Sequence, residues 1–329
     1  MLDISTRVLN LNLKNPLIAA SSPLTSNVES LIKLEKAGIG AVVLKSIFEE
    51  ELNSESRKAM LDNEQYLGHS DFAEVFSSFN KDYLLNQYLE LLVSAKQKLS
   101  IPVIASINCI HPEAWIEYAE RFEACKPDAL ELNYYPIASD ASVKGEEVDK
   151  ALFSFVKKAR KATALPLIIK LGNNYSSLSY NIKKLEAEGI DGVVLFNRFY
   201  RPDIDIETEE ITSRLTLSTE NEIGHILRWV ALMSAELKNL DIIANTGVHT
   251  SASLIKMLLA GAKAVEICSV LMQDGLDSIS KLTEGLETWM TKKGYSNLND
   301  FVGKLAQERI ADPMLWERTQ FMKSLMKGN

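Results

Sequence analysis

Cysteine is scarce in this chain: there are 3 in 329 residues, Cys109, Cys125 and Cys268, and no two of them stand in a Cys-x-x-Cys spacing. An odd, scattered set of this kind excludes a disulfide framework and a cysteine-ligated metal or iron–sulfur centre. Long apolar runs are missing as well, since none approaches the ~20 residues that span a bilayer. The first residues, MLDISTRVLNLNL, lack the basic and apolar layout of a secretory signal. Both absences lead to the expectation of a soluble, cytoplasmic protein. Positive charge is in deficit, with 36 Lys and Arg against 44 Asp and Glu and a net charge of −8, so there is no general attraction to nucleic acid or anionic membrane. Linkers and low-complexity tracts are also lacking. We therefore expect residues 1–329 to form a single domain with a helical tail from about Leu276.

What the chain does contain is a rhythm. Strand-like apolar runs that end in polar or small residues recur at 16–21, 41–45, 103–108, 129–133, 167–170, 192–197, 242–245 and 264–269. Amphipathic helical stretches lie between most of them, such as 30–37, 115–125, 148–162 and 179–188. Strand and helix in alternation predict a parallel sheet, and eight repeats predict a closed TIM (β/α)8 barrel, an α/β fold. Two segments break the rhythm: 48–98, too long for one connection and polar in its first part, and the polar, irregular 198–221. Both are expected to wall or cover the barrel mouth.

The segment DIIANTGVHTSASLIKMLLAGAKAVEICSVLMQDG, 241–275, reads as strand, turn, helix, strand, turn. In such barrels the loops after the last two strands commonly hold a phosphate through backbone N–H groups, here at Thr246-Gly247 and Cys268-Ser269. An ordinary βαβ unit with small packing residues fits the same segment.

Chemistry in a barrel belongs to the C-terminal ends of its strands. Those ends read Ser21, Lys45, Asn108, Asn133, Lys170, Asn197, Asn245 and Ser269. Amides and ammonium groups cannot all be buried without partners, because each then costs several kcal/mol on polar-transfer scales, about 2–7. They suit a planar heteroaromatic ligand with carbonyl and ring-nitrogen groups, while a loop-capping role fits any single asparagine equally well.

These residues carry a resemblance to the dihydroorotate dehydrogenase family of FMN-dependent barrels, nearest to its soluble class 1 members. The family's NP-x-x-x-A-S opening is met by Asn15-Pro16 through Ala20-Ser21, its flavin-contacting lysine by Lys45, and its ELN signature by Glu131-Leu132-Asn133. Its V-K-L strand is met by Ile169-Lys170-Leu171 and its L-x-N strand by Leu195-Phe196-Asn197. The resemblance implies FMN held by Ala20, Ser21, Lys45, Asn108, Asn133, Lys170 and Asn197, with its phosphate at Thr246, Gly247, Cys268 and Ser269. It also implies oxidation of dihydroorotate to orotate in pyrimidine biosynthesis, a homodimer, and a soluble electron acceptor such as fumarate or a quinone, or else a partner subunit.

Two departures stand against it. Relatives place a proton-accepting Cys or Ser shortly after ELN, whereas here Tyr134-Tyr135-Pro136-Ile137-Ala138-Ser139 follows Asn133, and Pro136 carries no proton. The asparagine-rich substrate loop is poorly matched by residues 63–69. Candidate bases are then Ser139 first and Tyr135 second, with Ser142 and His69 nearby; His249 follows the phosphate turn and is a candidate anion donor. Two alternatives stay open: an aldolase or synthase barrel with a Schiff base on Lys170, and a flavin-binding homologue without dehydrogenase activity.

Overall fold

The computed structural model describes residues 2–48, 70–108, 112–198, 202–213 and 216–317. Eight parallel strands form the core: β1 Leu17–Ala19, β2 Ala41–Val43, β3 Val103–Asn108, β4 Ala129–Tyr134, β5 Leu167–Leu171, β6 Gly192–Leu195, β7 Asp241–Asn245 and β8 Ala264–Ile267. Each pairs with its neighbour in sequence, and β8 pairs with β1, which closes the ring; Ile47–Phe48 adds a short further pairing to β3. This is the expected TIM barrel. Its helices are α1 Val28–Lys36, α2 Ser70–Lys98, α3 Pro112–Cys125, α4 Gly145–Ala162, α5 Leu178–Ala187, α6 Ile223–Glu236 and α7 Ser251–Ala260, followed by the short α8 Ser269–Asp274 and by α9 Ser278–Lys293 in the helical tail.

The two-residue period of a strand sorts side chains between two apolar layers. On β5, Leu167, Ile169 and Leu171 face the helices, while Ile168 faces the barrel axis; on β8, Val265 and Ile267 face out and Ala264 faces in. The inner layer consists of Ile18, Ala41, Val43, Ile104, Ala129, Ile168, Val194, Ile243 and Ala264. One strand step or more above it, the inward positions turn polar: Ser106, Glu131, Lys170 and Glu266 are all buried there. The lower barrel is thus sealed by hydrocarbon and the upper barrel is lined with hydrogen-bonding groups.

A hairpin of Thr6–Val8 and Leu11–Leu13 stops the lower end. Leu9 and Asn10 form its turn at φ 54 and 63, the positive values that a tight two-residue hairpin requires. Val8, Leu9 and Leu13 pack into the inner apolar layer, and the Leu9 N–H donates to Asp241 Oδ2 at 2.7 Å. On the outside, α2 is the longest helix, and its buried Leu85, Tyr88, Leu92 and Ala95 recur at the three- to four-residue spacing of a helix face laid on the sheet. The irregular segment after β6 contains an exposed antiparallel hairpin, Pro202–Asp205 with Glu210–Ser213, rather than a loop alone.

α7 is capped at both ends. The Thr250 side chain accepts from the Ser253 N–H, and Gly261 ends the helix at φ 117. A Cβ added at Gly261 would lie 2.4 Å from Ser234 Cβ on α6. Gly261→Ala therefore meets both a left-handed backbone and an occupied space, and should cost about 1–3 kcal/mol. The measurement is denaturant unfolding, in which the midpoint should fall with an unchanged slope.

Candidate active site

The polar upper layer is held together by register. Ser106 stands opposite Glu131 across β3 and β4, Asn133 opposite Lys170 across β4 and β5, and Asn245 opposite Glu266 across β7 and β8. Lys170, only 5% exposed, reaches across the axis to Glu266, with Nζ to Oε2 at 2.6 Å, and lies 3.8 Å from Glu131 Oε1. Burial works against its charge, but the two glutamates outweigh that and hold the ammonium pKa above its ordinary value. Glu131 is driven the other way: complete burial, then the charge of Glu266, push its carboxyl well above the usual carboxylate range.

Above these groups lies a network of hydroxyls and amides. Ser21 Oγ is 3.0 Å from Ser46 Oγ, which is 2.8 Å from Ser106 Oγ. Asn133 Nδ2 donates to both Ser46 Oγ and Ser106 Oγ, at 3.0 and 2.9 Å, while Asn133 Oδ1 accepts from Asn197 at 3.3 Å. Asn108 donates to the Tyr135 hydroxyl at 2.7 Å, and Asn245 donates to the Phe196 carbonyl at 2.8 Å. The rim asparagines therefore satisfy one another and fix the side chains around them.

A cavity of about 230 Å³ opens over this rim at the C-terminal mouth. Of the residues expected to bind the cofactor, Ala20, Ser21, Lys170, Asn197, Thr246, Gly247, Cys268 and Ser269 all line it. A second cavity of about 420 Å³ adjoins it across Asn197, Arg198 and Thr246. Together they fall in the ~300–1,000 Å³ range of small-molecule sites. A larger cavity, about 750 Å³, is at the opposite end beside Arg7, Asp191, Asp241 and Lys263, around the hairpin stopper. That is the face where barrels keep stability rather than chemistry, so the smaller mouth cavities are the functional candidates.

The turn after β7 is shaped for a close approach. Thr246 and Gly247 take φ of 78 and 82, and a Cβ at Gly247 would lie 2.8 Å from the Ile223 backbone nitrogen. Ser269 Oγ accepts from the Ser218 N–H at 2.9 Å, and Ser218 Oγ meets His249 Nε2 at 3.0 Å, which folds the segment after residue 216 against both turns. Arg198 anchors the same segment through the Thr216 carbonyl and Glu222. Burial raises the Cys268 thiol, and the Lys170 ammonium and a hydrogen bond with Ser22 draw it part of the way back.

Among the remaining candidates, Lys45 is half-buried at the end of β2, outside the cavity lining. Tyr135 is half-buried and tied to Asn108, whereas Ser139 lies in the exposed stretch after Pro136, its N–H bonded to the Ile137 carbonyl. His69, His111 and the 63–69 segment lie outside the described residues. The residue that sequence reasoning missed is Glu266. Its signal was present, a lone acid inside the apolar run Ala264–Ile267, and the same pattern singles out Glu131 in Ala129–Tyr134. The Schiff-base reading of Lys170 meets an obstacle here, since that chemistry needs a neutral amine and this one is buried in an ion pair. Among the described residues there is no group of three or more His, Cys, Asp or Glu placed to hold a metal, and no helix is long and apolar enough to cross a membrane.

A closed barrel with a polar cavity at its C-terminal mouth defines an enzyme-type site of the (β/α)8 class. The family model for dihydroorotate dehydrogenase matches residues 3–290, and the chain belongs to that family of oxidoreductases acting on CH–CH bonds. It is 29% identical over 306 residues to the catalytic subunit of dihydroorotate dehydrogenase B (NAD(+)) of Methanosarcina acetivorans, covering 91% of this chain and 95% of that one. It is 25% identical over 320 residues to dihydroorotate dehydrogenase A (fumarate) of Lactobacillus delbrueckii subsp. bulgaricus, covering 93% and 99%. Among solved structures, dihydroorotate dehydrogenase of Eimeria tenella in complex with ferulenol superposes with a TM-score of 0.65 at 16% identity, over 92% of this chain and 88% of that one, which shows the fold.

Because the Glu131 carboxyl is held above its ordinary range in the fold and ionises more easily when unfolded, its contribution to stability is full below about pH 4.3, the ordinary glutamate value, and is lost as pH rises through the folded value. Glu131→Gln keeps the shape and cannot ionise. Denaturant midpoints measured from acid to neutral pH should show the variant gaining on the wild type as pH rises; a constant difference would mean that Glu131 is ionised in the fold.

Proposed function

We propose that the chain, acting as one domain over residues 1–329, binds FMN and oxidises dihydroorotate to orotate in pyrimidine biosynthesis. The observation that carries this reading is the mouth cavity, where eight of the residues expected from the family pattern converge around the paired Lys170. Family membership over residues 3–290 supports the reaction class. Thr246, Gly247, Cys268 and Ser269 would hold the phosphate. Ala20, Ser21, Lys45, Asn108, Asn133, Lys170 and Asn197 would surround the ring. The group supplies acceptance of a hydride from a ring carbon.

The chain's own residues do the rest. Lys170 places a fixed positive charge beneath the cavity, where negative charge develops on reduction. The Asn197 amide, which lines the cavity and is oriented by Asn133, would present a donor and an acceptor to a planar amide. For the proton, Tyr135 takes precedence over Ser139, because its hydroxyl is held by Asn108 at the end of β3 while Ser139 faces solvent. Electrons then pass to a soluble acceptor or a partner subunit, the two arrangements named for the relatives, and the assembly is read as a homodimer.

One specific observation favours a second reading, a flavin-binding homologue without dehydrogenase activity: Pro136 occupies the position of the family's base. A single experiment separates them. The purified protein should be yellow with one FMN per chain, and anaerobic dihydroorotate should bleach it; a colourless protein that takes up no FMN defeats both readings, and a yellow one that dihydroorotate never bleaches leaves the second. In the active case Tyr135→Phe should slow flavin reduction by about 10²–10⁴-fold with FMN still bound. Equal loss in Ser139→Ala, with none in Tyr135→Phe, would move the role to the serine.

A further inference from the structure

The acid pair beneath Lys170 is not used by the reaction as described, and it is overdetermined. Glu131 and Glu266 are 0% and 1% exposed, and one ammonium cannot balance two buried carboxylates. Two of their oxygens, Glu131 Oε2 and Glu266 Oε1, are buried without any hydrogen-bond partner. One proton held between the two carboxyls satisfies both atoms and leaves the pair with a single negative charge, which Lys170 balances.

The hydroxyls above the pair have a definite polarity. Glu131 Oε1 can only accept from Ser106 Oγ, 3.1 Å away, so the proton of Ser106 is committed to it. Ser106 Oγ must then accept from Ser46 Oγ, and Ser46 Oγ in turn from Ser21 Oγ. Asn133 donates to Ser46 and Ser106, and the Ser46 N–H donates to Ser21 Oγ at 2.8 Å, which fills the competing acceptor positions. Three hydroxyls thus point in file from the cavity wall, where Ser21 sits, to the acid pair.

We propose that Glu131 and Glu266 share one proton and take up a second from the cavity through Ser21, Ser46 and Ser106 when the bound flavin is reduced, so that the buried site stays neutral. This rests on the flavin reading given above. The substrate gives up a hydride with its electron pair to the ring and releases one proton. That proton, taken first by Tyr135 and released into the cavity, enters at Ser21 Oγ, whose own proton moves to Ser46; the Ser46 proton moves to Ser106, the Ser106 proton to Glu131 Oε1, and the shared proton shifts onto Glu266. Each hydroxyl gains one proton and loses one. The charge added to the ring is matched by the proton added below it, and reoxidation by the acceptor reverses the path. The charged and titratable groups facing the pair are Lys170 on β5, Tyr88 on α2 and Cys268 beyond Lys170. The phenol and the thiol are both held neutral by burial.

The test is the reduction potential of the flavin-loaded protein against pH, read by equilibration with redox dyes above the pH at which the reduced ring is itself an anion. Each proton taken up with two electrons adds about 30 mV per pH unit. The wild type should show about 60, for one proton on the ring and one on the pair, and Glu131→Gln about 30; a wild-type slope of 30 overturns the proposal. Ser46→Ala leaves the pair intact, so its slope should match the wild type, while proton uptake followed with an indicator dye after rapid reduction should lag by tenfold or more; uptake without a lag overturns the serine route. If the protein takes no flavin, the functional reading fails by itself, and the shared proton is read in the flavin-free protein. The infrared carbonyl stretch of a protonated carboxylic acid should be present at neutral pH in the wild type and lost on alkaline titration, and its absence at neutral pH overturns the pair.

Discussion

The ion pair between Lys170 and Glu266 is the constraint from which the upper barrel follows. It spans the axis between β5 and β8, beneath the mouth cavity that both residues line, and both groups are nearly inaccessible. A buried pair of this sort depends on the polar groups packed around it. Glu131 stands beside it, Ser106 donates to Glu131, and Ser46 and Asn133 hold Ser106; the register of the strands is what delivers them there. A slip of one residue in β4 would replace Glu131 by a leucine and send the acid toward the helices.

Most of the barrel was legible in the sequence. The eight apolar runs are the eight strands, with ends displaced by a few residues at most, and β3 matches the expected 103–108 in full. The reason is physical: strands buried on both faces read as continuous apolar runs, and the polar residue that ends each run marks the mouth. The parts that were not legible lack such a contrast. The hairpin Pro202–Asp205 with Glu210–Ser213 looked irregular because Ile204 and Ile211, its cross-strand pair, stay exposed, so no burial pattern announces it. The N-terminal hairpin is two strands of three residues, too short for periodicity to register.

The site was legible in kind more than in detail. Polar residues at eight strand ends were expected to converge on a ligand, and their convergence is real, but much of it is mutual: Asn133 is occupied by Ser46, Ser106 and Asn197, and Asn245 by the Phe196 carbonyl. Such satisfaction stiffens the rim before anything binds, so less ordering remains to be done on binding. Glu266 escaped notice because an acid within a four-residue strand looks like an interruption until its partner, 96 positions away in sequence, is seen opposite it.

The stopper formed by Val8, Leu9 and Leu13 gives the barrel a one-way floor. Hydrocarbon fills the lower axis and a hydrogen bond to Asp241 locks the turn that plugs it. A molecule that reaches the polar layer finds no way on through this floor. Among the described residues the floor offers no exit, and where a site of this kind serves two ligands in turn, a closed floor makes them share the threshold: the first visitor must clear it before the second can step in, and the order of events is set by architecture rather than by affinity.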